Sequence, residues 1–174
     1  MNATLLSIGD ELLIGQTINT NVAWISQQMN DIGIDVKHHI TLSDDREDII
    51  ACLDRALAET EVVLITGGLG PTSDDITKYV LNDYFGGNLV FNEAAFQNIE
   101  NIFRLRQRLI NEDTRRVAYV PDNCQVIQNG LGTAPGMLFR KDDRVIVSMP
   151  GVPYEMKAMV ENGVIPYLRE HFKL

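Results

Sequence analysis

The stretch Val62-Val63-Leu64-Ile65-Thr66 shows no alternation of polar and apolar residues, and it runs straight into Gly67-Gly68-Leu69-Gly70-Pro71-Thr72-Ser73-Asp74-Asp75-Ile76-Thr77. A strand that is apolar on both faces must be covered on both faces, the condition of a strand inside a parallel sheet flanked by helices. Glycines at its end permit a tight turn and let a ligand approach the backbone. Amide N–H groups at a helix start converge on anions, and the helix dipole favours negative charge there. Asp74 and Asp75 sit at the same expected helix start. A phosphate beside two carboxylates is repelled unless a cation lies between them, so the run predicts a phosphate-bearing ligand held with a divalent metal. The bland alternative is a glycine turn whose two acids only complement the helix dipole, worth about 0.3–1 kcal/mol. The run has neither the lysine of a P-loop nor the G-x-G-x-x-G of dinucleotide folds.

Strand and helix alternate on both sides of this run. Ala3 to Ile8 reads as a strand, and Asn19 opens a helix with Val22, Ile25, Met29 and Ile32 on one face, ended by Gly33. Asp35 to Ile40 is a second strand. Ser43 and Asp44 serve as caps for a helix carrying Ile49, Ile50, Leu53, Ala56 and Leu57. Beyond the glycines, Ile76, Tyr79, Val80 and Tyr84 mark one helix, and residues 92–110 read as a single long helix facing inward through Phe96, Ile99, Phe103 and Ile110. Cys124 to Ile127, Met137 to Arg140 and Val145 to Ser148 are later strands; Pro153 to Asn162 and Pro166 to Phe172 are closing helices. Three early strands, each followed by a helix, pair in parallel through right-handed crossovers. The fold class is therefore α/β, a three-layer α/β/α sandwich with a mostly parallel sheet. Ligands of such sheets bind beyond the carboxyl ends of the strands.

A chain of 174 residues, 45% hydrophobic, is one domain's worth of core. Its net charge of −9 argues against nucleic acid and acidic membrane surfaces as partners, so any anion must be held locally. Cys52 and Cys124 form no disulfide framework or zinc spacing, which fits a reducing, cytoplasmic setting. The apolar start is too short for a signal-peptide core or a membrane span.

Two further loops lie at expected strand ends. Gly9-Asp10-Glu11, continuing to Asn19-Thr20-Asn21, offers acids for a metal or for ribose hydroxyls, or else a turn at Asp10 and a helix cap at Asn19. Thr41-Leu42-Ser43-Asp44-Asp45 offers hard oxygen ligands of the kind Mg²⁺ takes beside substrate phosphates, or else a helix cap. Asn129 to Gly136 and Met149 to Pro153 are rich in glycine and proline and suit either close ligand approach or tight turns. Arg104 and Arg108 read as one solvated helix face, whereas Arg115 and Arg116, past the helix end, are better placed for an anion.

Together, Ile8 through Gln16, Asn19-Thr20-Asn21, Gly67 through Thr77, Asn129 with Gly132 to Gly136, and Pro150 through Met156 resemble the N-terminal domain of the competence/damage-inducible CinA family, in order and over nearly the whole chain. That domain is similar in fold to the molybdopterin-binding domains of molybdenum-cofactor assembly proteins. The resemblance implies a divalent-metal-dependent pyrophosphatase acting on ADP-ribose or a similar nucleoside diphosphate sugar. It places the phosphate loop on Gly67, Gly68, Gly70 and Thr72, the acidic motif on Asp74 and Asp75, and the second-loop acid on Asp44. The expected catalytic set is Asp10, Asp44 and Asp75; the metal, Mg²⁺ or another divalent cation, falls to Asp44, Asp74 and Asp75. Gly9, Asn19, Asn21, Thr133, Gly136 and Gly151 complete the expected contacts to a nucleotide or pterin.

The chain ends at Leu174, so the amidohydrolase domain that commonly follows in the family is expected to be absent, with a separately encoded deamidase as a possible partner. A homo-oligomer is also expected. The alternative function is a non-catalytic pterin- or nucleotide-binding module, or a scaffold for such a deamidase.

Overall fold

The structure is a computed structural model that describes residues 1–174. Six strands form one sheet in the order β2-β1-β3-β8-β7-β6, built from β1 (Asn2–Ile8), β2 (Asp35–Leu42), β3 (Val62–Thr66), β6 (Gln125–Ile127), β7 (Gly136–Lys141) and β8 (Arg144–Met149). β2, β1, β3 and β8 run parallel; β7 is antiparallel to β8, and β6 to β7. β3 lies between β1 and β8, buried at every position, as its unbroken apolar run predicts.

Side chains leave the central strands alternately to two cores. Val63, Ile65, Leu6, Ile146 and Phe139 join one, which is covered by α3 (Arg46–Glu59), α4 (Thr77–Tyr84) and α5 (Glu93–Leu105). Val62, Leu64, Leu5 and Val147 join the other, under α2 (Thr20–Asp31), α7 (Pro153–Met159) and α8 (Ile165–Phe172). The result is the expected three-layer sandwich.

Several expectations give way. The helix expected over 92–110 stops at Leu105, with Gln107 in the left-handed region at φ 52°. A short α6 (Glu112–Arg116) follows, so Arg104 and Arg108 do not share a helix, and Arg115 and Arg116 lie inside one. A separate two-stranded sheet, β4 (Leu89–Phe91) against β5 (Tyr119–Pro121), was not expected at all. Arg115 stacks over the Phe91 and Phe96 rings, 5.0 and 4.9 Å from their centroids, which occupies it structurally. The closing helices α7 and α8 are joined through a π-helical turn, Val160–Val164. Pro166 has no N–H to donate and its ring crowds the preceding turn, and the widened turn accommodates both effects.

Candidate functional site

Four parallel strands deliver their carboxyl ends to one edge of the sheet, and the antiparallel β7 brings its N-terminal loop to the same edge. That edge is an open cleft of about 650 Å³. Gly9, Asp10 and Glu11 come from β1, with Asp10 and Glu11 in the short helix α1 (Asp10–Leu13). Asp44 follows β2, residues 67–75 follow β3, Gly151 follows β8, and Thr133 precedes β7. Eleven residues named from the sequence therefore meet in one place: Gly9, Asp10, Asp44, Gly67, Gly68, Gly70, Thr72, Asp74, Asp75, Thr133 and Gly151.

Two glycines make the loop possible. Gly67 holds φ 102°, and a Cβ there would run into the Ile8 carbonyl oxygen; Gly68 holds φ 68°, and a Cβ there would meet the Thr77 hydroxyl. The loop does not open the helix directly, since α4 begins only at Thr77. The Thr77 N–H donates to the Gly68 carbonyl at 3.2 Å, and the Gly67 N–H donates to the Met149 carbonyl at 3.0 Å, prolonging the β3–β8 ladder. Neither amide is available to an anion, which corrects the expectation for Gly67. The N–H groups of Gly68, Leu69 and Gly70 donate to no backbone carbonyl. Three successive unclaimed donors are what a phosphate-binding nest requires.

Around them stand six carboxylates, Asp10, Glu11, Asp44, Asp74, Asp75 and Glu155, and no lysine or arginine lines the cleft. Asp75 is partly committed: its Oδ2 accepts from the Thr72 N–H at 3.0 Å and from the Thr72 hydroxyl at 2.6 Å, clipping the loop closed. Asp44 is free because the cap of α3 falls on Asp45, whose Oδ1 accepts from Glu47 and Asp48 N–H at 2.9 and 3.0 Å. The capping role expected for Ser43 and Asp44 is thus displaced by one residue. Asp44 Oδ2 instead accepts from the Asp10 N–H at 3.3 Å. Burial pushes the Asp44 carboxyl above its ordinary range, the Asp10 N–H offsets part of this, and the charges of Asp10, Glu11 and Asp75 push it further up. Like charges this close favour a cation among them, and all of the donors are the hard oxygens that suit Mg²⁺. No three acid, cysteine or histidine side chains, Asp44, Asp74 and Asp75 included, are gathered closely enough to hold a metal ion by themselves.

Three residues expected in the cleft lie outside it. Asn19 caps α2, with Oδ1 accepting from the Val22 N–H at 3.4 Å and Nδ2 donating to Ser7 Oγ at 2.8 Å. Asn21 Nδ2 donates to the Gly151 carbonyl at 2.8 Å, so it holds the cleft wall from behind. Gly136 is buried in β7, opposite Ile127. The sequence reading missed Glu155 as a cleft residue. It is only 8% exposed, and its Oε2 accepts from Asn129 Nδ2 at 2.7 Å. Asn129 also donates to the Ala134 carbonyl and accepts from the Leu131 and Gly132 N–H groups, which shapes the loop that presents Thr133. An acid two residues after Pro153, which begins a helix at a strand end, was the available signal.

A glycine loop over the carboxyl edge of a mostly parallel sheet, sandwiched between two helical layers, defines a three-layer α/β/α domain with its candidate site at the sheet edge. The family described as a probable molybdopterin binding domain matches residues 4–170. A CinA-like protein of Flavobacterium psychrophilum is 45% identical over 172 residues, 97% of this chain and 40% of that protein. A solved structure of the protein CinA from Thermoplasma acidophilum, a protein of unknown function, superposes with a TM-score of 0.84 at 31% identity, covering 95% of this chain and 96% of that one. The tungsten cofactor synthesizing protein MoaB of Pyrococcus furiosus, at 16% identity and a TM-score of 0.62 over 98% of this chain and 96% of its own, shares the fold. The chain belongs to the molybdopterin-binding-domain family and, within it, to the CinA-like proteins. It spans about two-fifths of the length of the curated relatives it matches.

Proposed function

We propose that the cleft binds a nucleoside diphosphate sugar of the ADP-ribose kind together with Mg²⁺ or a similar divalent cation, and hydrolyses its diphosphate to AMP and ribose 5-phosphate. The observation that carries this reading is the juxtaposition of three unclaimed N–H groups with six carboxylates and no fixed cation. An anionic ligand enters such a cleft only with a metal as counter-charge. Mg²⁺ characteristically takes one or two protein carboxylates and completes its shell with water and substrate phosphates, so a pre-closed ligand set is not needed. Asp44, with Asp10 and Asp75 beside it, would hold the cation, which supplies charge neutralisation at phosphorus and lowers the pKa of water. The Gly68 to Gly70 N–H groups would hold the phosphoryl oxygens, and Glu11 or Asp74 would orient the attacking water. Glu155, held by Asn129, would keep the opposite wall in place.

Incubation with ADP-ribose and Mg²⁺, with AMP release followed by chromatography, tests this. Wild type should release AMP, and Asp44→Asn should release it on the order of 100-fold more slowly. No release by wild type, or full activity in the variant, overturns the proposal. A second reading, a binding module for a pterin or nucleotide without turnover, draws support from the family description and from the open arrangement of the acids. Metal-independent affinity in calorimetry without product would favour it.

A further inference from the structure

Behind residues 70–73 lies a second cavity, of about 540 Å³, bounded by α4 and α6 and sharing Gly70, Pro71 and Thr72 with the acidic cleft. Its lining includes Lys78, Arg116, Ser73, Asn111 and Asp113. Lys78 is 9% exposed, yet it belongs to none of the ion pairs of a chain with 24 acidic residues. Its ammonium carries three donors. Within the protein they find one acceptor, the Arg116 carbonyl at 2.7 Å, and the Tyr79 ring lies 5.2 Å away. Asp113, the carboxylate in the lining, is engaged by Arg116 at 3.3 Å. A buried cation without a counter-ion is costly, and an anion bound from outside would offset that cost.

We infer that this cavity is an anion subsite that takes a tetrahedral oxyanion such as a phosphate group, through the Lys78 ammonium, the Arg116 guanidinium and the Ser73 hydroxyl. Fixed cations do here what a metal would do in the neighbouring cleft, so the subsite works without metal. The surrounding donors favour an oxyanion over a nucleobase, because Tyr79 is the only aromatic side chain in the lining. Burial lowers the Lys78 pKa to about 8, so occupancy by an anion should fall in mild alkali. The other charged or titratable groups that line the cavity with Lys78 are Asp113 and Arg116 on α6 and Tyr79 on its own helix.

Sulfate is the suitable probe because its charge is constant across this pH range. In EDTA and at constant ionic strength, titration with sodium sulfate should shift the amide resonances of Thr72, Ser73, Lys78 and Arg116 saturably. Lys78→Met should weaken binding tenfold or more, and wild-type binding should weaken between pH 7 and pH 9.5. If Lys78→Met does not fold, Arg116→Gln, on an exposed side chain, carries the same test with a smaller loss. Non-saturating shifts, shifts confined to Gly68 to Gly70, or affinity unchanged in both variants overturn the inference. The absence of metal and of turnover from this measurement separates its outcome from that of the hydrolysis assay.

Discussion

The loop at Gly70, Pro71 and Thr72 has an acidic cleft on one side and a cavity with a buried lysine on the other. In the cleft, charge is concentrated and unpaired on side chains that remain within reach of water, which is the state of a site that recruits a cation. In the cavity, one charge is nearly removed from water, which suits a site that recruits an anion. Both depend on the same short backbone segment, held by the Asp75–Thr72 clip and by the two left-handed glycines. On the two proposals above, a chain of net negative charge offers anion sites because each is built locally.

The largest expected effect abolishes both sides together. Gly67→Ala forces a Cβ into the Ile8 carbonyl at a left-handed φ, and should cost about 3 kcal/mol. For a domain of this size that lowers the melting temperature by roughly 6–12 °C in a thermal scan. A variant as stable as wild type would show that the loop is not the shared scaffold.

The next effect separates the two sides. Asp44→Asn should reduce Mg²⁺-dependent turnover on the order of 100-fold while leaving sulfate binding behind the loop intact. The same change should raise the melting temperature of metal-free protein at pH 7. Because the folded pKa of Asp44 is raised, its favourable contribution exists at low pH and is lost as pH rises through that value, so at neutrality the ionised group opposes folding. A lower melting temperature would contradict this electrostatic account.

A smaller loss is expected on cutting the clip. Asp75→Ala should cost about 1 kcal/mol in urea denaturation, whereas Asp75→Asn, which keeps an acceptor for Thr72, should cost less. Equal losses would assign the effect to charge and not to the hydrogen bonds.

The last effect is read as a pH slope and not as a single loss, and it reports on the lysine. Its pKa of about 8 in the folded chain lies below the value of about 10.4 for an unfolded one, so over that window the unfolded state binds more protons. Stability should therefore rise with pH between these values in wild type relative to Lys78→Met, as read from denaturation midpoints.

The residues that proved readable from sequence share a property: their signal is local. The unbroken apolar run at Val62–Thr66 required two covered faces, the glycines required unusual backbone angles, and acids at successive strand ends had to converge once the strands were parallel. The misread positions depended on partners distant in the chain or on a boundary shifted by one residue. β4 and β5 are each three residues long and pair across roughly thirty intervening positions, too short for any periodic signal. Asp44 and Asp45 are chemically identical candidates for a cap; the first residue of α3 decides between them. Lys78 lies between Thr77 and Tyr79 on an ordinary amphipathic turn, and only the packing of α6 across it removes it from water.

By itself, then, the sequence determined the α/β class, the sheet edge that carries the candidate site and most of the side chains gathered there, because hydrophobic periodicity and glycine conformation act over a few residues. Only the tertiary structure decided which backbone amides remain free, which aspartate is spared from capping and which lysine loses its water. Hydrogen-bond partners and desolvation are set by neighbours that the chain order does not place side by side.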